Sequence, residues 1–210
     1  MDPSEFRSPP LSFMRHPFFL WLLLVGGIVT ASADPASRPV VKHWTVEDFD
    51  TVIFVGLEGY RDFENGRRRF SEASCVKCHR FAGEGPQTAV SPDLSKVGET
   101  RSPRELLEAI LDPDKTIAPG YVVYHFQMND GGSREGLVVE RTGSTLRLVS
   151  DPEKSGESET VKRQAIRSER ELAASAMPSG LLDTFREEDI LDLLAYLLSG
   201  GKQSDPMFRK

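Results

Sequence analysis

The chain has 210 residues, of which 39% are apolar and 28% charged, a composition that excludes a wholly disordered protein. Its formal net charge of -6 argues against nucleic-acid binding, because phosphate recognition needs a clustered positive surface. We therefore expect one domain, with or without a terminal extension, and no nucleic-acid partner.

Residues 1–33 have the features of a signal peptide. Arg7 and Arg15 precede an apolar run at residues 17–29, and Ala31-Ser32-Ala33 then provides small side chains at a spacing that signal peptidases accept. The alternative is an uncleaved membrane anchor, since residues 17–33 reach the lower limit of about 17 residues for a bilayer-spanning helix. Both interpretations place the folded part in the periplasm or another extracytoplasmic space, with membrane contact only if the leader is retained. Residues 34–44 are expected to form a linker.

Two helices are predicted before the two cysteines. The first is weak and begins near Thr45, and its inward positions are Val46, Phe49, Ile53 and Leu57. The second runs from about Asp62 to Ala73 and places Gly66 and Phe70 on one face. Because Gly66 has no side chain, we expect another helix to pack closely against it.

The two cysteines lie three positions apart, and a histidine follows the second one directly, in the sequence Cys75-Val76-Lys77-Cys78-His79. A disulfide between them would close a very small, strained loop. A thioredoxin-like redox pair needs a βαβ frame, which the surrounding sequence does not indicate. A zinc site needs four ligands, and the sequence contains neither a second cysteine pair nor a His-x3-5-His pattern.

Covalent attachment of haem uses all three residues of this motif. Two thiols at positions i and i+3 can each add to one vinyl group of a porphyrin, and the following histidine then becomes the proximal ligand of the iron. Export agrees with this interpretation, since c-type haem is attached outside the cytoplasm. We therefore predict one covalently bound haem c at Cys75, Cys78 and His79.

Further along the chain, two helices flank a region of strands. One helix begins with a capping box at Ser102-Pro103-Arg104-Glu105 and ends at Asp112-Pro113. Residues 121–166 alternate between apolar and polar positions and contain several turn signals, which predicts a β-meander. The last helix is predicted from a capping box at Thr184-Phe185-Arg186-Glu187 to Ser199-Gly200, and residues 201–210 form a C-terminal tail.

An electron-carrying haem needs a second axial ligand, for which the candidates are His43, His125, Met128, Met177 and Met207. Met128 ends the apolar face of a predicted strand, where a methionine more often fills a core than binds a metal. Met177 lies in the non-helical sequence Ser175-Ala176-Met177-Pro178, in which the proline favours an extended backbone. Such a loop can present a thioether to a buried ring, and the alternative is an ordinary turn whose methionine fills a surface gap.

Several segments, in order along the chain, resemble a mono-haem cytochrome c of the class I fold. They are the Gly66-x-x-x-Phe70 helix, the cysteine motif, Pro92-Asp93-Leu94, Met177-Pro178 and the terminal "ILDLLAYLLSGG". The chain also resembles the planctomycete-type haem-binding domain, a c-type cytochrome module with strands inserted before the methionine loop. The segments "CHRFAGEG", "LLEAILDPDKTI" and "AMPSGLLDTF" are similar to the signature of that domain, and the resemblance covers about residues 45–200.

The resemblance implies a mainly α fold, with a class I cytochrome c-like helical core and a small antiparallel β insertion at about 121–166, in a single domain over residues 45–200. It implies thioether bonds at Cys75 and Cys78, iron ligation by His79 and Met177, and a hydrogen bond from His79 to the carbonyl of Pro92. Ser91 departs from the family pattern, in which a glycine commonly precedes the proline, and this departure leaves the local backbone geometry open.

The expected function is the transfer of single electrons to or from a redox partner protein, such as a dehydrogenase or a terminal oxidase chain, without enzymatic activity. One alternative is a haem-based peroxidase or gas sensor in which Met177 leaves the iron. Another is a docking module that binds a dehydrogenase or a carbohydrate through the β insertion. The simpler interpretation of the insertion is a passive cover over the haem. The basic residues 67–69 and Arg80 flank the motif, as solvated surface or as a docking site for an acidic partner.

Overall fold

The computed structural model describes residues 38–87, 90–154 and 157–209. These residues belong to one compact unit of the chain, Ala33–Lys210. The expected signal peptide, residues 1–33, lies outside the described residues. A search of the described residues finds no helix with the length and apolar character needed to cross a membrane.

The described part of the chain contains five α-helices and one five-stranded antiparallel sheet. The helices are α1 (Phe63–Glu72), α2 (Cys75–Cys78), α3 (Val97–Thr100), α4 (Pro103–Leu111) and α5 (Glu187–Leu198). The strands are β1 (Val122–Met128), β2 (Ser133–Arg141), β3 (Thr145–Val149), β4 (Glu159–Lys162) and β5 (Ile166–Ser175). Because only 33% of the described residues are helical, 3-10 helices included, and 22% lie in strands, the prediction of a mainly α fold is wrong, although the part around the cysteine motif is helical.

Two of the helices begin at the predicted capping residues. The Asp62 side chain accepts a hydrogen bond from the backbone N–H of Asn65 at the start of α1. At the start of α4, Ser102 and Glu105 form the expected reciprocal capping box. Such caps satisfy backbone N–H groups that have no partner inside the helix.

The other two predicted helices differ from expectation. In place of one weak helix after Thr45, two short 3-10 helices form at Val46–Phe49 and Val55–Leu57. The predicted capping box at Thr184 is wrong, because α5 begins only at Glu187. Leu182 and Phe185 are almost fully buried in turns before α5, so their burial in the core overrides the local helical signal.

Helix α5 is the centre of the helical part. Every residue from 190 to 197 is buried, as expected of an interior helix that is apolar on nearly all sides. Its only charged member in this stretch, Asp192, accepts hydrogen bonds from the backbone N–H of Asp62 at 3.0 Å and from Asn65 Nδ2 at 2.8 Å. Burial raises the pKa of Asp192, and these two hydrogen bonds oppose that rise. The α1–α5 crossing is therefore both closely packed and hydrogen-bonded.

The ends of the described chain pack onto the helical part. The backbone N–H groups of Val41 and Lys42 both donate to the carbonyl of Asp183, and Trp44 Nε1 donates to the carbonyl of Phe185 at 3.1 Å. Near the C-terminus, a 3-10 helix at Pro206–Phe208 places Phe208 edge-on against Phe63, with ring centroids 5.2 Å apart. Both terminal segments thus cover the core.

The sheet has the strand order β4-β3-β2-β1-β5, and every pair is antiparallel. The predicted insertion ends near residue 166 and does not include β5, which continues to Ser175. Most residues of β5 are exposed and many are charged, so its sequence lacks the apolar alternation by which strands are recognised. As an edge strand, β5 is stabilised by backbone hydrogen bonds to β1, and its charges discourage pairing with other chains.

The two faces of the sheet belong to two different apolar clusters. The first, which we call the sheet core, consists of the buried residues Phe126, Met128, Leu146, Leu148 and Val161 with Tyr124, Val138, Ala165 and Ile166 packed against them. The second, which we call the bracing patch, consists of Val90, Leu137 and Val149 with Val123, Val139 and Ala176 packed against them. Only the bracing patch includes described residues from outside the sheet region, Val90 and Ala176.

Candidate functional site

The two cysteines lie on α2, which is a single helical turn. Ser74 precedes them with a φ of 62°, a left-handed conformation that separates α1 from α2. Side chains at i and i+3 of a helix share one face, so the thiols of Cys75 and Cys78 are directed to the same side. Both thiols are free in the described part of the chain, as attachment to two vinyl groups requires.

The two thiols have different surroundings, since Cys75 packs against the main core and Cys78 lies nearer to charged side chains. Burial raises the pKa of Cys75 to about 12. Burial also raises the pKa of Cys78, and the negative charge of Glu153 contributes. Redox-active cysteine pairs instead have a lowered thiol pKa, because the thiolate is the nucleophile in disulfide exchange. The electrostatics therefore disfavour the thioredoxin-like interpretation.

His79 follows α2 with its ring held by the backbone. Its Nδ1 lies 2.9 Å from the carbonyl oxygen of Pro92 and donates a hydrogen bond to it. Burial lowers the pKa of His79, and this hydrogen bond opposes the shift. The ring is therefore neutral near pH 7, and the lone pair of Nε2 is available to a metal ion.

The segment at residues 91–94 runs beside the cysteine motif and forms hydrogen bonds with residues 78–80. The Ser91 hydroxyl donates a hydrogen bond to the carbonyl of Cys78. The backbone N–H of Leu94 donates to the carbonyl of Arg80 at 2.9 Å. Together with the bond between His79 and Pro92, these contacts hold the motif on one side. The departure at Ser91 therefore adds a hydrogen bond that glycine could not form.

Gly85 packs closely against the backbone carbonyl group of His79. It has a φ of +82°, and a Cβ atom built on it would lie 2.1 Å from the carbonyl oxygen of His79. A side chain at this position would therefore displace the histidine backbone. The last glycine of the segment "CHRFAGEG" is therefore required for a steric reason.

Met177 lies in a non-helical segment directly after β5. Its side chain is half-buried and packs against the main core, as do Cys75 and Leu94. Its backbone N–H donates to the Ser175 hydroxyl oxygen at 3.1 Å, which fastens the loop to the last residue of the strand. The competing Met128 is only 7% exposed and belongs to the sheet core. The structure thus associates Met177, and not Met128, with the core that contains the cysteine motif.

The other three ligand candidates have different surroundings. Nδ1 of His43 lies 2.5 Å from Asp183 Oδ2, and its side chain is 84% exposed. Nδ1 of His125 lies 2.7 Å from Glu135 Oε1. Met207 belongs to the C-terminal 3-10 helix and packs against the same main core as Met177, and its carbonyl accepts a hydrogen bond from the N–H of Arg61. Neither histidine contacts the cysteine motif through these bonds, and Met207 lies beside the start of α1.

An aromatic cluster joins the cysteine motif to the α1–α5 crossing. Phe81, two residues after His79, is fully buried and packs edge-on against Tyr196 at 5.1 Å and against Phe70 at 5.4 Å. Phe70 and Tyr196 also contact each other, with ring centroids 6.1 Å apart. Phe81 was not among the predicted core residues. The sequence feature that could have identified Phe81 as a core residue is its position as a large apolar residue only two places after His79.

The basic residues near the motif have acidic partners within the chain. Arg67 pairs with Glu84 at 2.7 Å, Arg69 pairs with Asp189 at 2.8 Å, and Arg68 lies 3.9 Å from Glu72. These pairs account for residues 67–69 as part of the folded surface. They provide no separate indication of a docking site.

The donors around the motif fit a covalently attached porphyrin. Two thiols on one helical face, a neutral imidazole with a free Nε2 and a thioether loop are the groups that such a cofactor requires. Among the described residues, no three His, Cys, Asp or Glu side chains come together in a way that could hold a metal ion. A porphyrin contributes four nitrogen ligands of its own, so the chain would need to supply only two further ligands to the iron.

Comparison with known proteins provides an independent observation. The family model for cytochrome c matches residues 63–138. The matched segment contains Cys75, Cys78, His79 and Pro92, and it ends before Met177 and α5. A search of curated proteins finds no match to the chain. The family match supports a c-type cytochrome, a haem-binding electron carrier, and it implies a covalently bound haem c.

Proposed function

We propose that the protein is a mono-haem cytochrome of the planctomycete type that transfers single electrons and has no enzymatic activity of its own. In this proposal Cys75 and Cys78 hold the haem, and His79 and Met177 are the axial ligands of its iron. The observation that supports it best is the hydrogen bond from His79 Nδ1 to the Pro92 carbonyl, beside two free thiols on one helical turn.

The role of the cysteines follows from their chemistry. Each thiol adds across one vinyl C=C bond, so that a C–S bond forms and the thiol hydrogen moves to the neighbouring carbon. No oxidant is consumed. Because both thiols are directed to one side of a single turn, they can reach one ring together.

The axial residues serve different purposes. The hydrogen bond to Pro92 selects the His79 tautomer with a free Nε2 and restrains rotation of the ring. Met177 offers a neutral, polarisable sulfur, which favours the reduced state of the iron. When bound, the haem supplies reversible one-electron oxidation and reduction. If His79 and Met177 both held the iron, they would keep oxygen and peroxide from the metal.

The proposal includes an extracytoplasmic location and a protein partner. The apolar run at residues 17–29 and the small residues 31–33 support export, and haem attachment of the c type takes place outside the cytoplasm. A one-electron carrier requires a donor and an acceptor, so we propose a dehydrogenase or a terminal oxidase chain as the redox partner.

The first experiment is an absorption spectrum of the protein purified after expression with a haem-attachment system, in both oxidation states, with a pyridine haemochrome assay. We expect one haem per chain that remains bound after acid–acetone extraction. The matched control is Cys75→Ala combined with Cys78→Ala, which should release the haem. Colourless protein, or haem that is extracted from the unmodified chain, contradicts covalent attachment.

Two further measurements test the finer parts of the proposal. Cell fractionation should find the holoprotein outside the cytoplasm, and N-terminal sequencing should begin at Asp34 if the leader is cleaved. Carbon monoxide added to the reduced protein at neutral pH should bind slowly and weakly, because Met177 occupies the sixth position. Rapid, tight binding contradicts the electron-carrier proposal and favours a peroxidase or gas sensor.

A further inference from the structure

We propose that the β-sheet insertion fixes the positions of both axial-ligand loops through the bracing patch, with Leu137 and Val149 as positioning residues. This inference rests on the proposed ligation by His79 and Met177. It assigns the insertion a structural role in iron coordination, different from a passive cover or a partner-binding module.

The bracing patch is an ordered row across three strands. Leu137 in β2 lies directly opposite Val149 in β3 and directly opposite Val123 in β1. Directly opposed residues on one face of a sheet contact each other through their side chains. Leu137 is 1% exposed and Val149 is 2% exposed, so the centre of the row is covered.

Irregular pairing accompanies the row at two places. The β1–β5 pairing changes register between Val122 and Tyr124, at Val123. The β2–β3 pairing changes register between Val138 and Glu140, at Val139. Both residues are members of the bracing patch. Such bulges alter the direction of side chains and commonly lie next to functional sites.

Two loop residues cover the row, and each lies beside a residue of the proposed site. Val90, which is 4% exposed, directly precedes Ser91 and Pro92. Those two residues bond to the carbonyl of Cys78 and to the ring of His79. On the other side, Ala176 directly precedes Met177. One small cluster therefore contacts the loops that serve both axial ligands.

Hydrogen bonds reinforce the connection to Met177. Ser175 is the last residue of β5 and is paired with Val122 of β1. Its backbone N–H donates to Asp114 Oδ1 at 2.6 Å, and its hydroxyl oxygen accepts the N–H of Met177. The start of the methionine loop is thereby fixed to the edge of the sheet.

The remaining link between the sheet region and the motif is weaker. Lys77 lies 3.2 Å from Glu153 in the β3–β4 connection, and both side chains are more than half exposed. An exposed ion pair of this kind contributes little to stability. The sheet core, for its part, draws its described members from the sheet and the turn before β5. Positioning of the loops therefore depends on the bracing patch.

The test compares two leucines that are buried equally well in neighbouring strands. Leu137→Ala removes the centre of the bracing patch, and Leu146→Ala removes a sheet-core residue that is 0% exposed. Both variants are prepared as full-length holoprotein, and imidazole is titrated into the oxidised form. Imidazole binds when the methionine leaves the iron, so its apparent affinity reports the fraction of open sites.

We expect Leu137→Ala to bind imidazole about tenfold more tightly than the unmodified protein, and Leu146→Ala to differ by less than about twofold. Hydrogen exchange of the same samples should accelerate in residues 90–94 and 176–180 together in Leu137→Ala only. Equal responses of the two variants, or acceleration in one of the two loops alone, would overturn the proposal. If Leu137→Ala does not fold, the variant Val149→Ala gives the same comparison with a smaller truncation of the bracing patch.

Failure of the proposed ligation is distinguishable from failure of this inference. If the unmodified protein lacks the sulfur-to-iron charge-transfer band, His/Met ligation is wrong, whatever the two variants do. If the band is present and the variants respond alike, the ligation stands and the positioning role is wrong.

Discussion

Gly66 of α1 lies so close to Asp192 of α5 that a Cβ atom on the glycine would be 2.3 Å from the aspartate carbonyl oxygen. The same Cβ would lie 2.8 Å from Cβ of Tyr196. Neither backbone nor Cβ atoms can rotate away, so the two helices can approach this closely only with glycine at the crossing. Since Tyr196 also contacts Phe70 and Phe81, the crossing determines the shape of the core behind the cysteine motif.

Gly66→Ala should therefore destabilise the protein by roughly 1–3 kcal/mol, the usual cost of forcing extra atoms into a packed core. In an exposed helix the same change would stabilise by up to about 1 kcal/mol, so the sign of the effect is informative. Chemical denaturation of the holoprotein measures it. The control is Gly143→Ala, because no described atom lies within 4 Å of a Cβ there. Unchanged stability of Gly66→Ala would mean that the crossing is looser than described.

Met177→Ala and Met128→Ala should have opposite effects on two observables. Met177→Ala should abolish the sulfur-to-iron charge-transfer band of the oxidised protein, because the proposed thioether ligand is removed. Met128→Ala should keep the band and lower the free energy of unfolding by roughly 2–5 kcal/mol, because a side chain of the sheet core is truncated. Absorption spectroscopy and denaturation of both variants decide the matter. Persistence of the band in Met177→Ala would assign the ligand to another residue.

Ser91→Ala should lower the free energy of unfolding by about 1 kcal/mol, since the Cys78 carbonyl loses the hydroxyl that donates to it. The midpoint potential should shift as well, because Pro92, the next residue, accepts the hydrogen bond of the proposed ligand His79. Ser91→Thr, which keeps a hydroxyl, is the matched control and should restore both values. A potential that is the same in Ser91→Ala and in the unmodified protein argues that Pro92 is held without the serine.

Glu72 should contribute to stability in a pH-dependent way. A hydrogen bond from Arg38 lowers the pKa of Glu72 below its usual 4.5, and Arg69 adds to this effect. A lowered carboxyl pKa stabilises the fold fully above the unfolded value, and the contribution is lost as the pH falls through the folded value.

Glu72→Gln should accordingly lower the free energy of unfolding by about 1 kcal/mol at pH 7, and the difference should disappear as the pH falls below about 4. Denaturation curves between pH 3 and pH 7 test this, with Glu64→Gln as control. Glu64 is on the same helix and has no ion pair among the described residues. A difference that is constant across this range would assign the effect to packing.

Much of the helical part could be predicted because capping residues and a glycine at a helix crossing are features of short sequence segments. The caps at Asp62 and Ser102 lie where the sequence placed them, and Gly66 meets α5 as expected. The start of α5 was predicted too early, since burial of Phe185 in a turn competes with a local capping pattern. Strand β5 was missed because its stability comes from backbone pairing with β1, which leaves no periodic apolar pattern in its own residues.

The cysteine motif alone indicated a covalently bound haem, because two thiols three positions apart with an imidazole directly after them have few other uses, and the family match at residues 63–138 agrees. Only the tertiary structure showed that Met177 and Met207, but not Met128, pack against the core that contains that motif, and which contacts hold the two loops of the proposed ligands. Val90 and Ala176 are far apart in the chain, and they come together only because three strands between them present one row of side chains. Contacts of this kind depend on strand register and on which face of the sheet is covered, and neither is encoded by any single segment.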